Sequence, residues 1–559
     1  MEKIKNFLRR IINSRATPYV IILIVGLIIM IPLLSTMIAS FNEFRIHIVR
    51  VIKTKLLLES GTFPPLISSE MMNGFGYAIN VFYGPFTTYL PILFSYIFGS
   101  SIDGMEVFTI VSVILSGCTM YNFAYEITKK RGAALISAVV YMLAPYKLTD
   151  IYARNAVGEY GAFIFIPMVF EGLHNLLKGN KKKDYLLIIG AIGLVLTHTI
   201  STIYVVFFAV LYLLINIKCL KEIKVWKTIG ISVIFIVMIT SFYLVPLLEF
   251  KSNGDYAIYN PNYMGSRAED VYRETNNIVD FFKIETGSEE LIFSIGIVVI
   301  FLVLLGGKKL FKYSTLEDNY KKDYITFLAF SVISLIMCTK LFPWRIMPGV
   351  MTIIQFAWRM NGFFITFIAI ICGINAYEFI KDFKYRYIFY FVIIVVSLTL
   401  GLVRINNFLS VSDQSIGNSS YEEWLIEKKD LSAYGVNREY LPSKAFINID
   451  YIENRQKTMI VTDGSGIVND NEVKVLSSEV EIELPYLYYP GYEVRQNGNL
   501  IDYNESDKGF ISIKVSEDST IEVQYVGTRV EKISYIVSAA GLCIYLVYVI
   551  YRIKNNKKE

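Results

Sequence analysis

Three ionisable residues stand at helical intervals early in the chain: Glu43, His47 and Arg50 occupy i, i+4 and i+7. On a helix they share one face. A carboxylate, an imidazole and a guanidinium aimed the same way could act as general base and phosphate clamp. A plainer reading uses the same residues. Ser40 and Glu43 have the S-x-x-E spacing of a capping box, in which Glu43 pairs the backbone N–H of the cap residue; Arg45, His47 and Arg50 then simply face water on an interfacial helix. A second charged stretch reads Asp150-Ile151-Tyr152-Ala153-Arg154-Asn155-Ala156-Val157-Gly158-Glu159-Tyr160. Arg154 could hold a phosphate, and Glu159 opens a helix, where its charge suits the dipole; ordinary capping with an Arg–Glu pair would need no more. His198, in Thr197-His198-Thr199, is either a ligand contact or a packing histidine. Gln355-Phe356-Ala357-Trp358-Arg359 and Pro343-Trp344-Arg345 each set a Trp beside an Arg. Such pairs suit a cationic pocket for a lipid phosphate, or an aromatic belt with snorkelling cations.

The elements that position these residues are membrane helices. Of 559 residues 54% are hydrophobic and only 18% charged, against about a quarter charged in soluble proteins. Apolar runs near the length needed to cross a bilayer recur, and in lipid only a helix satisfies such a run's backbone. Spans are expected near 19–39, 105–127, 132–148, 158–177, 185–199, 201–218, 228–248, 289–307, 323–341, 359–379, 387–404 and 532–551. The first follows Lys3, Lys5, Arg9, Arg10 and Arg15 and is too long for a signal-peptide core, so a retained anchor is expected. Pro85 to Gly99 is short and reads as a juxtamembrane or re-entrant helix, because a crossing there would put Lys129-Lys130-Arg131 outside. Basic clusters at both termini and in alternate loops place those segments in the cytoplasm. The regions 40–104, 249–288 and 405–530 then face outward. The expected fold is a polytopic α-helical membrane protein of about twelve transmembrane helices: a membrane domain over 1–404, an outer domain over 405–530, and a final helix with a basic tail over 531–559.

The outer region is acidic, with 11 basic and 21 acidic residues between Asn406 and Val530. Its later half alternates with period two, as in Val480-Glu481-Ile482-Glu483-Leu484 and Ile511-Ser512-Ile513-Lys514-Val515. This predicts half-buried antiparallel strands, and Asn497-Gly498 marks a tight turn. A small β-sandwich-like domain results, serving carbohydrate or partner binding, or acting as a lid or scaffold. Cys118, Cys219, Cys338, Cys372 and Cys543 lie in or beside apolar runs as small hydrophobes. There is no Walker loop, HExxH or DxD motif, and His47, His174 and His198 are scattered. These absences argue against an ATP-driven pump, a histidine zinc site and a sugar-nucleotide-binding cytoplasmic domain. No nucleic-acid partner and no cofactor is called for, although a divalent metal stays compatible.

The first outer loop, with an acidic residue four before a His and seven before an Arg, resembles that of GT-C glycosyltransferases. Gly61-Thr62-Phe63-Pro64-Pro65, Tyr83-Gly84-Pro85 and Tyr89-Leu90-Pro91 look like that family's juxtamembrane region. Tyr152-Ala153-Arg154-Asn155-Ala156-Val157-Gly158-Glu159 and Gln355-Phe356-Ala357-Trp358-Arg359 resemble a bacterial subgroup, the YfhO-like and "6-pyruvoyl-tetrahydropterin synthase-related" membrane proteins. Leu484-Pro485-Tyr486, Tyr489-Pro490-Gly491-Tyr492 and Asn497-Gly498 are similar to the outer domain of YfhO-like proteins. The resemblance implies a bacterial cell-membrane enzyme of GT-C-like fold. It would take a polyprenyl-phosphate-linked sugar from the surrounding lipid and pass it to an envelope glycopolymer or lipid, with inversion. Glu43 stands where the family usually has Asp and would be the base. Arg154, Glu159 and Arg359 would bind donor phosphate or acceptor, with His47, Arg50 and His198 as further binding residues. The pterin label implies no pterin chemistry, since that enzyme's zinc histidines are missing. Two alternatives remain: a transporter or flippase of envelope precursors, disfavoured by few midplane charges and no obvious repeat, and a non-catalytic envelope-assembly protein.

Overall fold

The computed structural model describes residues 14–35, 43–179, 183, 185–260, 262–263, 267–283, 293–310, 317–409, 422–423, 425–426 and 438–556. Helices dominate: α1 (Thr17–Ser35), α2 (Phe44–Glu59), α3 (Phe86–Phe98), α4 (Ser101–Thr128), α5 (Arg131–Arg154), α6 (Val157–Leu177), α7 (Tyr185–Thr197), α8 (Thr199–Ile215), α9 (Ile223–Asn253), α10 (Ile297–Leu310), α11 (Asp318–Met337), α12 (Ala357–Ile380), α13 (Arg386–Leu409) and α14 (Arg529–Asn556). Among the described residues seven are long and apolar enough to cross a membrane: α4, α5, α6, α9, α12, α13 and α14. They coincide with seven of the expected spans. The expected spans 185–199 and 201–218 correspond to the shorter α7 and α8, of 13 and 17 residues. At 1.5 Å per residue α7 measures only about 20 Å, less than the roughly 30 Å hydrocarbon thickness. His198, in extended backbone, divides the two.

The structure corrects the interfacial reading of α2. Most of this helix is buried, His47 and Arg50 included, and of the three basic residues near its start only Arg45 is exposed. The Ser40 half of the expected capping box lies outside the described residues, and Glu43 makes no side-chain cap.

Close contacts between membrane helices use small residues, which let backbones approach where no hydrophobic force separates protein from lipid. On α12, a Cβ at Gly373 would lie 2.1 Å from Ser137 Oγ and 2.3 Å from the Ala133 carbonyl oxygen of α5. On α9, the Ser241 and Ser538 hydroxyls meet at 2.9 Å, which joins α14 to the bundle.

Nine short strands build the domain ahead of α14: β1 (Ile460–Asp463), β2 (Gly466–Asn469), β3 (Glu472–Val475), β4 (Val480–Leu487), β5 (Tyr492–Gln496), β6 (Asn499–Ile501), β7 (Asn504–Glu505), β8 (Phe510–Val515) and β9 (Ser519–Tyr525). They pair antiparallel in two sheets ordered β1-β4-β8-β7 and β2-β3-β9-β5-β6. The expected turn at Asn497-Gly498 closes the β5–β6 hairpin, with φ of 49° and 81°, the left-handed pair that a type I′ turn requires. Buried Val473, Ile482, Leu484, Val494, Phe510 and Ile513 join one core.

This domain is seated on the loop after α2. Leu487 N–H donates to the Phe75 carbonyl at 2.9 Å, and Asn73 Nδ2 to that of Ile452 at 3.2 Å. Tyr440 stacks on Phe82 with centroids 4.9 Å apart. A buried Arg455–Glu483 ion pair lies under the same junction, its guanidinium 4.1 Å above the Phe510 ring.

Gly373→Leu should sharply lower the yield of monodisperse protein on size-exclusion chromatography in detergent. Gly230→Leu, at a position with nothing within 4 Å of a Cβ, should leave it unchanged.

Candidate functional site

The charged stretch at the α5–α6 junction folds as its sequence dictates. Pro145 starts a helical turn, where its missing N–H costs nothing. The helix then widens into a π-turn over Asp150–Arg154, with Asp150 and Arg154 on one side. Asn155, at φ 55°, stops it in the left-handed region that Asn tolerates. The chain re-enters a helix at Val157, with Glu159 in the first turn. Tyr152 pins this corner to α1 by donating to the Ile29 carbonyl at 2.7 Å.

Arg154 is the centre of the site. Its Nη1 donates to Asp150 Oδ1 at 2.5 Å and to Glu159 Oε2 at 3.1 Å. Its Nη2 donates to Glu43 Oε1 at 3.0 Å, and its carbonyl accepts the Glu43 N–H at 3.1 Å. The guanidinium lies 4.3 Å over the Trp358 ring, which is itself stacked between Phe293 and Phe356. Tyr146 donates to the other oxygen of Glu159. Arg154, Asp150 and Glu159 are sealed, but the Glu43 side chain is 33% exposed. Glu43 is therefore the open end of the cluster.

Two arms extend from it. On one, His47 Nε2 lies 3.8 Å from Glu43 Oε2 and 3.3 Å from the Tyr83 hydroxyl. The Tyr83 ring covers Arg50 at 4.0 Å, and Arg50 Nη2 donates to Thr87 Oγ1 at 2.8 Å. Arg50 thus acts through Tyr83 and lines neither of the two cavities described here. On the other arm, Arg359 Nε lies 3.6 Å from Glu159 Oε2, and its Nη1 donates to Gln355 Oε1 at 2.7 Å. Gln355 holds φ at 65°, a strained conformation of the kind that gathers at functional sites. Glu159, Arg359 and His198 line a cavity of about 290 Å³. His198 Nδ1 caps α8 by accepting the Ser201 N–H at 3.3 Å, which leaves the other ring nitrogen uncommitted to that cap. A Cβ on Gly158 would lie 2.9 Å from His198 and 3.4 Å from the Tyr83 hydroxyl, so glycine there lets the two arms meet.

All seven residues singled out in the sequence belong to this assembly. Asp150, Tyr83 and Tyr146 were not singled out; the first two lay within quoted motifs but carried no spacing signal of their own. Trp358 serves Arg154 rather than its neighbour Arg359, and is buried rather than set in a belt. Trp344 and Arg345 stand apart: Trp344 is buried and donates to the Met337 carbonyl, and Arg345 pairs with Glu269 at 2.7 Å. Among the described residues no three His, Cys, Asp or Glu side chains converge as a metal shell would.

Desolvation would raise the Glu43 carboxyl, but contact with His47 and the charges of Arg154 and Arg359 outweigh it and hold it below the usual carboxylate range. Burial pushes the His47 imidazole down to about 4, against the partial opposition of Glu43. Glu43 is thus ionised and His47 neutral near pH 7.

Apolar helices of spanning length, with charge gathered at one end of the bundle, define a polytopic integral membrane protein. The chain belongs to the family described as "6-pyruvoyl-tetrahydropterin synthase related domain; membrane protein", whose profile matches residues 81–409. An uncharacterised protein of Lactococcus lactis subsp. cremoris (strain MG1363) is 26% identical over 350 residues, 58% of this chain and 54% of that protein. The chain thus matches about half the length of that relative. Among solved structures, arabinofuranosyltransferase AftD from Mycobacteria is similar over 74% of this chain and 29% of its own, with 13% identity and a TM-score of 0.49. An Archaeoglobus fulgidus oligosaccharyltransferase tethered to an acceptor peptide is similar over 76% and 59%, with 13% identity and a TM-score of 0.43. Both likenesses are too loose to carry fold or activity.

A histidine whose pKa falls on folding binds protons better unfolded. Its contribution is complete above its ordinary pKa of 6.5 and is lost as pH falls toward about 4. The carboxylate of Glu43, held low, adds its own loss only below its ordinary value of 4.5. The melting temperature of the solubilised protein should therefore be flat above pH 6.5 and fall between 6.5 and 4. His47→Gln should flatten part of that fall in intrinsic-fluorescence melts.

Proposed function

We propose that the chain is a membrane glycosyltransferase of GT-C type. It moves a sugar at the outer face of the cell membrane from a polyprenyl-phosphate donor to an envelope glycopolymer or lipid. The observation that carries this reading is the open carboxylate of Glu43, held across Arg154 from Glu159 and the Arg359-lined cavity. The family resemblance of the first loop and of the two arginine motifs supports it.

In the proposed step an acceptor hydroxyl oxygen attacks the anomeric carbon from the face opposite the phosphate. The new C–O bond forms as the bond from that carbon to the phosphate oxygen breaks, and the electron pair leaves with the phosphate. Arg359 faces the charge that develops there. The hydroxyl proton passes to Glu43. A carboxylate held this low is a weak base, so it takes the proton late, once bonding to carbon has made the hydroxyl acidic.

One observation favours a second, structural reading: both Arg154 terminal nitrogens are already committed to carboxylates. Breaking a buried pair by removing one partner costs about 3–5 kcal/mol, so the cluster could serve the fold alone.

The test expresses wild type, Glu43→Gln and Arg154→Ala at matched membrane levels in a deletion strain and compares the sugar content of envelope polymers. Removal of a general base is expected to cost on the order of 100-fold or more in rate, so Glu43→Gln should give the deletion phenotype with an unaltered melting temperature. Unchanged glycosylation in both variants and in the deletion would sink the enzyme reading. Loss of protein in Arg154→Ala with full glycosylation in Glu43→Gln would favour the structural one.

A further inference from the structure

A second cavity, of about 390 Å³, lies on the far side of Tyr83, walled by α3, α9 and α14. Its size falls in the roughly 300–1,000 Å³ range of small-molecule sites. Tyr83, Tyr89, Phe242, Tyr243 and Tyr535 supply aromatic faces, and Asn80 a side-chain amide. Three polar groups here are unused by the described residues. Asn80 Oδ1 is buried without a hydrogen-bond partner, although its Nδ2 donates to Thr54 Oγ1 and the Pro65 carbonyl. Neither the Tyr89 nor the Tyr535 hydroxyl is bonded to a described protein group. Buried polar groups are normally paired, and one left open in a cavity calls for a ligand's own polar groups.

The lining holds no Lys, Arg or His. A phosphate would lack a counter-charge there, whereas Arg359 provides one in the other cavity. The occupant is therefore neutral, with apolar faces to lie on tyrosine rings and hydroxyls to meet an amide oxygen and phenols. That is the chemistry of a sugar ring. Beside the cavity Phe63, Leu248 and Ile536 are exposed apolar side chains, and the Phe63 ring lies 6.4 Å from that of Tyr535. They offer an apolar anchor a path away from the sugar.

We propose that this pocket binds the sugar ring of a membrane-anchored acceptor, opposite the Arg359 cavity that would take the donor phosphate. The inference rests on the glycosyltransferase reading for the word acceptor, and on the pocket alone for the sugar. Tyr83 is the shared wall: its ring lines the pocket and its hydroxyl touches His47, which neighbours Glu43.

The test uses the full chain in an amphipol free of glycosidic detergent, with octyl glucoside bearing a diazirine on its sugar as photoprobe and labelled peptides mapped by mass spectrometry. Labelling should fall on the segments carrying Tyr89 and Tyr535, and excess octyl glucoside should suppress it. Tyr535→Phe, which keeps the ring, should weaken labelling about fivefold, the factor for one neutral hydrogen bond; Tyr89→Leu should weaken it further. Absence of labelling there, equal competition by octanol, or undiminished labelling of both variants would overturn the sugar site. Equal competition by free glucose would overturn the membrane anchor. Glu43→Gln should label as wild type does. Retained labelling in a protein without transferase activity would leave the pocket standing and remove the enzyme reading; lost labelling with intact transfer would do the reverse.

Discussion

One guanidinium, that of Arg154, holds together the ends of separate elements. Asp150 and Glu159 come from the two sides of the α5–α6 corner, and Glu43 from the start of α2, more than a hundred residues earlier. Placing three carboxylates away from water is strongly unfavourable unless each is paired. Once Arg154 is at the corner, Glu43 has a place to go, and α2 is drawn beneath the sheet domain instead of lying in the interface. Trp358 brings α12 to the same point, because its ring covers the guanidinium. The corner therefore sets the relative positions of α2, α5, α6 and α12 with a few polar contacts.

Much of the arrangement was legible because its signals are local. The seven long helices follow from apolar length, and the strands around Glu481 and Ser512 from two-residue alternation. Asn497-Gly498 fixed a turn through backbone conformation. The intervals linking Glu43 to His47, and Arg154 to Glu159, brought those pairs into view. What stayed hidden depends on partners distant in the chain. Nothing local says that Arg50 will be capped by the ring of Tyr83, or that Trp358 will stack on Arg154 and not on the adjacent Arg359. Asp150 looked like one more polar residue at a span end until the π-turn put it beside Arg154. The amphipathic sequence of α2 fits both an interfacial helix and a buried one. The docked sheet domain decides between them, and that docking has no periodic trace.

The two cavities divide chemically along a wall built from Tyr83 and His47. One side carries a cation and a carboxylate, the other only aromatic rings and unused neutral polar atoms. Gly158 lets His198 and Tyr83 approach across this wall, so its thickness is set by a missing side chain.

The seating of the sheet domain on residues 73–82 has a consequence for how this protein can change over time. The strands beyond residue 459 and the loop after α2 share backbone hydrogen bonds and stacked rings, yet nearly four hundred positions separate them in the chain. A graft of the sheet domain alone from a relative would meet the wrong Phe75 and Phe82. The smallest heritable module is therefore discontinuous: loop and domain must travel together. The family profile, which runs from 81 to 409, covers the scaffold between them and leaves out most of this module.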